Sequence, residues 1–509
     1  MQNGSIQVSQ VSYTYANRTT PAIRDVTLSF AHGQVILIAG ESGSGKTTLF
    51  RCINGLIPQS YKNGILSGSV HVEGESTASM RLAQLARRIG TVLQDPEKQM
   101  VSAQVRTDIA FGLENMGIAR AEIIARLTDI ARRLNIEALL DRATHSLSGG
   151  ERQKVAIAGV LVMRPQVLLF DEPLASLDPR SAREALKLFR TLADDGVTVV
   201  MIEHRVQAAL QAKPDRCIAV SQGTVVFQGD ATAYVGWRSN QTALSQADHP
   251  GVPRHAVNNT LQTPSTTGQA LLEWRDVTFA YPDKLPTLKR ITLRVRPGDV
   301  IALLGPNGAG KSTLSKMAIG ILHPASGTVM LGQQPTHTMS VAQIARQVGY
   351  VFQHPSSMLF ANTIREELSF GPRNIGLTES NIAQVIGQVL QQVGLEELPL
   401  DRSPFALSYG QQKRIAIASV LAMQPALLFL DEPTAGLDDA TAQQLMDSLI
   451  LECRRQQRLQ AMILITHDLT LARAYANRVL VLADGAIVAD GDPEDVLNDR
   501  ALLEECNLL

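Results

Sequence analysis

Two runs of residues 265 positions apart have the spacing that holds a polyphosphate. The first is Gly40-Glu41-Ser42-Gly43-Ser44-Gly45-Lys46-Thr47 with Thr48 next, and the second is Gly305-Pro306-Asn307-Gly308-Ala309-Gly310-Lys311-Ser312 with Thr313 next. In G-x-x-x-x-G-K-[ST] the glycines let backbone N–H groups close around the β- and γ-phosphates. The helix that follows adds the positive end of its dipole, and the lysine adds a point charge. Lys46 and Lys311 would carry that charge, and Thr47 and Ser312 would each offer a hydroxyl to Mg2+. Downstream, two apolar stretches end in the pairs Asp171-Glu172 and Asp431-Glu432. Asp171 and Asp431 would hold the ion's hydration shell, and Glu172 and Glu432 are placed to orient and deprotonate an attacking water. Either glutamate alone could be a helix cap; its recurrence in both halves favours the catalytic role.

Three further pairs keep nearly the same separation, with offsets of 259 to 265 residues throughout. His204 and His467 each follow an apolar run, where a side chain reaches the γ-phosphate of a nucleotide lying along the carboxyl edge of a sheet. Taken singly, each is an ordinary strand-end histidine. Gln94 and Gln353 follow Gly90-Thr91-Val92-Leu93 and Gly349-Tyr350-Val351-Phe352, where a strand gives way to a loop that could meet both a metal ion and a partner. Leu147-Ser148-Gly149-Gly150 and Leu407-Ser408-Tyr409-Gly410 open helical runs, and a Ser with glycines at a helix start forms an anion site. A plain N-cap by Ser148 or Ser408 is the simpler account of that segment alone.

The elements that must position these residues are legible as continuous apolar runs. Residues 35–39, 167–170, 197–202, 300–304, 427–430 and 462–465 lack alternation, as expected of strands in a parallel sheet covered on both faces. Each half closes with a hairpin-like segment, around Gly223 and around Gly485. A duplicated order of motifs in 509 residues predicts two domains, 1–236 and 271–509. Between them, residues 237–270 have the Ser, Thr, Asn, Gln, Pro and Gly content of a polar linker. The net charge of −1 shows no bulk attraction to nucleic acid, and no nucleic-acid partner is expected. Cys52, Cys217, Cys453 and Cys506 are scattered without C-x-x-C spacing, which argues against a disulfide framework and against zinc. No apolar run approaches the ~18 residues that span a bilayer, and the first residues lack a signal-peptide pattern.

Together these motifs resemble the ATPase domain of ATP-binding-cassette proteins, twice over. The resemblance implies an α/β fold of two tandem P-loop NTPase domains. Each would have a mostly parallel core sheet, an antiparallel β subdomain and a helical subdomain, and the two would pack head to tail. ATP with Mg2+ would be sandwiched between one domain's phosphate loop and the other's Ser-Gly segment: Lys46 with Ser408 and Gly410, and Lys311 with Ser148, Gly149 and Gly150. Gln94 and Gln353 would join the metal ion and the attacking water, and Tyr15 and Tyr281 match the family's adenine-stacking aromatic, an exposed core-edge tyrosine being the alternative for each. Tyr409 replaces a glycine and Glu151 a glutamine of the family pattern, so the two composite sites are expected to be chemically unequal, with tyrosine costing backbone freedom.

The segments Asp108-Ile109-Ala110-Phe111-Gly112-Leu113-Glu114-Asn115 and Glu367-Leu368-Ser369-Phe370-Gly371-Pro372-Arg373-Asn374, with Gln94-Asp95-Pro96-Glu97-Lys98-Gln99, resemble the ATPases of energy-coupling-factor (ECF) importers. That implies a peripheral subunit on the cytoplasmic face of the membrane, working with an integral transmembrane scaffold and a small substrate-capture subunit. The cargo would be a vitamin, a vitamin precursor or a transition metal. The partner would be met by a helix following each Gln loop, near residues 99–106 and 358–365. Duplicated sugar-importer ATPases share the length, but their second half is commonly degenerate, whereas Lys311, Asp431, Glu432 and His467 are intact. Twin-cassette translation factors usually carry a long charged arm between the domains, which residues 237–270 do not supply. Repair ATPases insert zinc-binding cysteines, and these are absent.

Overall fold

The computed structural model describes residues 5–508, apart from 17, 42, 95, 175–176, 205, 249–268, 283–285 and 456–457, and describes only the backbone at 241–248, 439 and 454. Ser42 of the first phosphate loop therefore lies outside the described residues, as does the part of the expected linker from 249 to 268. The chain divides into two units, Met1–His249 and Pro250–Leu509.

In the first unit a six-stranded sheet has the order Thr224–Gly229, Arg216–Ser221, Val35–Ala39, Thr198–Ile202, Val167–Asp171, Ile89–Val92. All neighbouring pairs are parallel except the terminal hairpin of Arg216–Ser221 with Thr224–Gly229. Val35–Ala39, Val167–Asp171 and Thr198–Ile202 are buried along their whole length, so the unbroken apolar runs in the sequence are the consequence of cover on both faces. Beside this sheet stands a four-stranded antiparallel one, ordered Ile23–Phe30, Ile6–Thr14, Ile65–Val72, Glu75–Ser76. Helices Val105–Asn115, Arg120–Arg133 and Gly149–Leu161 pack with the core that includes Val155, Ile109 and Leu127.

The second unit repeats the plan. Its core sheet runs Val348–Val351, Leu427–Asp431, Ala461–Ile465, Val300–Leu304, Arg478–Ala483, Ala486–Gly491, and its antiparallel sheet runs Leu288–Val295, Leu272–Phe279, Ser326–Leu331, Gln334–Pro335. Helices Ile364–Asn374, Glu379–Gln392 and Tyr409–Leu421 take the places of the three helices above. Among the described residues, no helix is long and apolar enough to cross a membrane.

Two expectations need correction. A helix occupies Ala231–Asp248, so residues 237–248 are not linker in conformation. Its first turns are anchored by Tyr234 and Trp237, which meet Phe227 at ring-centroid distances of 5.6 and 5.1 Å. Such aromatic packing outweighs the polar composition of the segment. The segments 99–106 and 358–365 are mainly 3-10 turn and loop, and the helices begin only at Val105 and Ile364.

Candidate functional site

Each phosphate loop lies between the central strand of its core sheet and a helix, Lys46–Ile53 or Lys311–Ala318. Glycine is required at the first position by close approach. A Cβ on Gly40 would stand 2.2 Å from the carbonyl oxygen of Val220, and one on Gly305 would stand 2.1 Å from that of Leu482. Gly45 and Gly310 end the loops at φ of 106° and 104°, in the left-handed region. Lys46 Nζ donates to the carbonyls of Gly40 at 2.8 Å and Glu41 at 2.7 Å, and Lys311 Nζ to those of Gly305 at 2.6 Å and Pro306 at 3.0 Å. Each ammonium is thus folded over the loop whose N–H groups would surround the phosphates, where it is placed to meet their charge.

Asp171 and Asp431 end strands that stand one strand away from the strand leading into each phosphate loop. Thr47 Oγ1 donates to Asp171 Oδ2 at 3.4 Å. Burial and the neighbouring Glu172 push the Asp171 carboxyl up to about 7, against the pull of Lys46 and Thr47. In the second unit burial and Glu432 push Asp431 up to about 6, and there Tyr350 donates to Asp431 Oδ2 at 3.0 Å. Thr91 stands where the second unit has Tyr350, a difference that the sequence reading missed although lining up the two copies exposes it. A divalent cation fits this donor set of hard oxygens and would draw both carboxyls into their ionised form.

Next to each aspartate, Glu172 and Glu432 adopt left-handed backbone with φ of 52° and 48°. For a residue with a side chain this costs of order 1 kcal/mol or more, and it persists only where the surroundings hold it. Backbone bonds do so here, from Glu172 N to Ile202 O at 3.0 Å and from Glu432 N to Ile465 O at 2.9 Å. The turn brings each carboxylate to its histidine. Glu172 Oε1 lies 3.1 Å from His204 Nε2, and Glu432 Oε1 lies 2.6 Å from His467 Nδ1, with Thr466 Oγ1 also donating to Glu432 Oε2 at 3.3 Å. The structure therefore brings Lys, Thr or Ser, Asp, Glu and His of each unit to one edge of its sheet, as the motifs require.

The other candidates fall around this group. Tyr15 and Tyr281 lie beside the phosphate-loop helices, their hydroxyls 3.1 and 3.3 Å from Thr48 and Thr313, and Arg51 donates to Tyr15 at 2.9 Å. Gln94 and Gln353 directly follow Leu93 and Phe352, one residue beyond the strands Ile89–Val92 and Val348–Val351. In the first unit Gln99 staples the Gln loop, accepting from Leu93 N and donating to Thr91 O, both at 3.1 Å; in the second, Met358 sulfur accepts from Phe352 N at 3.3 Å. Ser148 and Ser408 are N-caps of Gly149–Leu161 and Tyr409–Leu421, each in a capping box. Glu151 Oε2 accepts from Ser148 N at 2.7 Å, and Gln411 Oε1 accepts from Ser408 N at 3.1 Å, so the Glu-for-Gln replacement keeps the same bond. Tyr409 is the first residue of its helix and is absent from the positive-φ positions, so its backbone gives up no freedom that only glycine supplies.

Behind the second site, Lys413 Nζ donates to the carbonyls of Gln353 at 2.8 Å and Glu432 at 2.6 Å. Burial pushes this lysine down to about 8, opposed by Asp431 and Glu432. Sequence reasoning missed it because a lysine in a helical run reads as a solvated face. A cavity of about 270 Å³ in the first unit, lined by Arg126, Arg133, Arg164 and Asp195 among others, contains none of the phosphate-loop residues and is not the nucleotide site.

Comparison with known proteins gives a consistent picture. The family model described as ABC transporter matches residues 23–175 and again 288–435. A proposed ABC transporter ATP-binding protein of Vibrio vulnificus is 36% identical over 99% of this chain and 92% of its own length. Proteins described in the same way are 35% identical in Lactiplantibacillus plantarum, covering 99% of this chain and 94% of theirs, and 33% identical in Methanosarcina acetivorans, covering 99% and 88%. Among solved structures, cbiO1 of Clostridium perfringens, part of the ABC transporter complex cbiONQ, is 34% identical with a TM-score of 0.42, covering 47% of this chain and 95% of that one.

Proposed function

Since this chain belongs to the ABC transporter family, as an ATPase carrying two of the family's domains that energises transport, we propose that it drives an ECF-type importer of a micronutrient. In this reading ATP and Mg2+ occupy two composite sites, each built from the phosphate loop of one unit and the Ser-Gly helix start of the other. Lys46 and Lys311 neutralise the γ-phosphate. Thr47, Ser312, Asp171 and Asp431, with Gln94 and Gln353, hold the ion and its waters. Glu172 and Glu432 accept the proton of the attacking water, while His204 and His467 fix the carboxylate and sense the γ-phosphate. ATP binding draws the units together and hydrolysis lets them part. The chain itself touches no cargo, which would be a vitamin, a vitamin precursor or a transition metal ion carried by a separate capture subunit.

The observation that carries the importer reading is the pair of apolar tips after the Gln loops. Asp108 Oδ1 accepts from Val101 N at 2.8 Å and Ser102 N at 2.9 Å, and Glu367 Oε2 accepts from Phe360 N and Ala361 N, both at 2.9 Å. These carboxylates hold the loops that carry Val101, 62% exposed, and Phe360, 58% exposed; Phe111 and Phe370 are likewise exposed, and Phe370 meets Phe360 at a ring-centroid distance of 4.7 Å. Apolar side chains held in water at matching places of both units suit a membrane subunit that presents two equivalent docking elements at the cytoplasmic face. The test is affinity purification of the full chain from detergent extract. The wild type is expected to retain an integral membrane scaffold and a small capture subunit, and V101D/F360D to lose both while hydrolysing ATP. Ribosome co-sedimentation without any membrane partner would overturn the importer reading in favour of a translation factor.

A further inference from the structure

Two side chains that belong to the second unit alone converge on one backbone oxygen. Lys413, fully buried on helix Tyr409–Leu421, donates to Gln353 O at 2.8 Å and to Glu432 O at 2.6 Å. The hydroxyl of Tyr409, one helical turn earlier, reaches the same Gln353 oxygen at 3.5 Å. The matching positions of the first unit hold Gln153 and Gly149. Gln153 is equally buried, yet neither its Oε1 nor its Nε2 has a hydrogen-bond partner among the described residues. One copy of the fold therefore closes this junction with an ammonium, and the other leaves two amide atoms unsatisfied there.

We infer that Lys413 is a positioning residue for hydrolysis at the second site, tying the Gln353 loop to the turn that carries Glu432. The inference rests on the reading of Glu432 as general base. The physical argument starts from that turn. Glu432 is held in left-handed backbone at φ 48°, with its N–H fixed to Ile465 O at 2.9 Å, and its carbonyl is fixed by Lys413. With a backbone bond at one end and a charge-assisted bond at the other, the strained peptide has little room to relax. The second bond from the same Nζ makes the Gln353 carbonyl and the Glu432 carbonyl share one donor group, so displacement of the loop pulls on the carboxylate's own backbone. The first unit carries Gln153 instead of a cation at this place, and among the described residues its Gln loop and Glu172 are not joined in this way. Movement of the Gln loop is thereby converted into hydrolytic competence at the second site through Lys413.

The test compares steady-state ATPase kinetics and melting temperature of the full chain in four forms: wild type, K413Q, K413R and E432Q. Gln is already housed at the equivalent buried position of the first unit, so K413Q is expected to fold. The second site supplies about half of turnover if the sites fire independently and all of it if they fire together. A loss of position at one site costs about tenfold, so whole-chain kcat in K413Q should fall between about twofold and tenfold with the KM for ATP unchanged. K413R, which keeps a charged donor, should recover most of kcat. Hydrogen–deuterium exchange at residues 353–358 should rise in K413Q and return toward wild type in K413R. An unchanged kcat in K413Q overturns the inference, as does a fall of kcat, ATP affinity and melting temperature together, which marks a purely structural lysine. If E432Q itself turns over normally, the general-base reading has failed, and that result is separate from the behaviour of K413Q.

Discussion

Binding of Mg·ATP should expel protons from the protein, and more from the first site than from the second. Burial, reinforced by Glu172, raises the Asp171 carboxyl from 3.8 to about 7, and burial with Glu432 raises Asp431 to about 6. At pH 7 the first group is then about half protonated and the second about one-tenth; at pH 6 the fractions are about nine-tenths and one-half. A carboxyl must be ionised to serve Mg2+, so saturation with preformed Mg·ATP releases about 0.6 proton per chain at pH 7 and about 1.4 at pH 6. Titration calorimetry in buffers of different ionisation enthalpy gives this number as the slope of heat against that enthalpy. D171N should remove about half a proton at pH 7. Y350F deletes the 3.0 Å bond that favours ionised Asp431, so the second-site contribution at pH 7 should grow. The same shift fixes the sign of stability without nucleotide. A raised carboxyl binds more protons folded than unfolded between pH 3.8 and about 7, so the first unit loses stability as pH rises through that window, by about 4 kcal/mol for Asp171. Zero slope at both pH values, or a slope untouched by D171N, would refute the assignment of these carboxyls to the metal.

The general-base assignment predicts that E172Q/E432Q still binds ATP, measured by equilibrium binding, yet hydrolyses it about 10²- to 10⁴-fold more slowly; near-normal turnover in the double variant sinks it. The phosphate loop makes a graded prediction at two glycines. A Cβ added at Gly43, φ 80°, would meet nothing within 4 Å, whereas one added at Gly45, φ 106°, would stand 2.5 Å from Ala22 O. G43A should therefore cost only the left-handed penalty of about 1–2 kcal/mol, and G45A should lower the melting temperature further and abolish ATP binding. Equal melting temperatures for the two variants would contradict the close approach.

How much of this was legible in the chain depended on how local each signal is. The core strands were, because cover on both faces leaves an unbroken apolar run that nothing else of that length produces. The strands Ile6–Thr14 and Leu272–Phe279 were not read from residue pattern, and their register explains why. Each carries an irregularity, between Val8 and Val11 and between Trp274 and Val277, at residues Gln10 and Asp276 with φ of 50° and 49°. Buried positions Ile6 and Val8 are therefore out of phase with Val11 and Tyr13, and the period of two is broken in the middle of the strand. The helix Ala231–Asp248 was hidden by polar composition, since the aromatic contacts that hold it are made with another strand. Lys, Thr or Ser, Asp, Glu and His, which gather at one sheet edge in each unit, could be picked out because the proposed chemistry restricts each residue type at its place. Tyr350 and Lys413 could not, because their importance comes from atoms they meet across the fold.

The two units also differ at places that the motifs did not point to. Glu151 and Gln411 make the same capping bond, to which Glu151 adds an ion pair with Arg142 at 2.8 Å, and Tyr409 sits in ordinary helical backbone. Further differences lie around Glu172 and Glu432. Glu432 is held by His467 Nδ1 at 2.6 Å and by Thr466 at 3.3 Å, and its carbonyl by Lys413 at 2.6 Å. Glu172 meets His204 through Nε2 at 3.1 Å, and the residue in the place of Thr466 is the buried Glu203, whose Oε1 accepts from Leu174 N at 2.8 Å. Glu432 thus has a hydroxyl donor beside it where Glu172 has a second carboxyl in the matching place. Because the two surroundings differ, hydrolysis at the two sites should be compared one at a time, with E172Q and E432Q assayed separately.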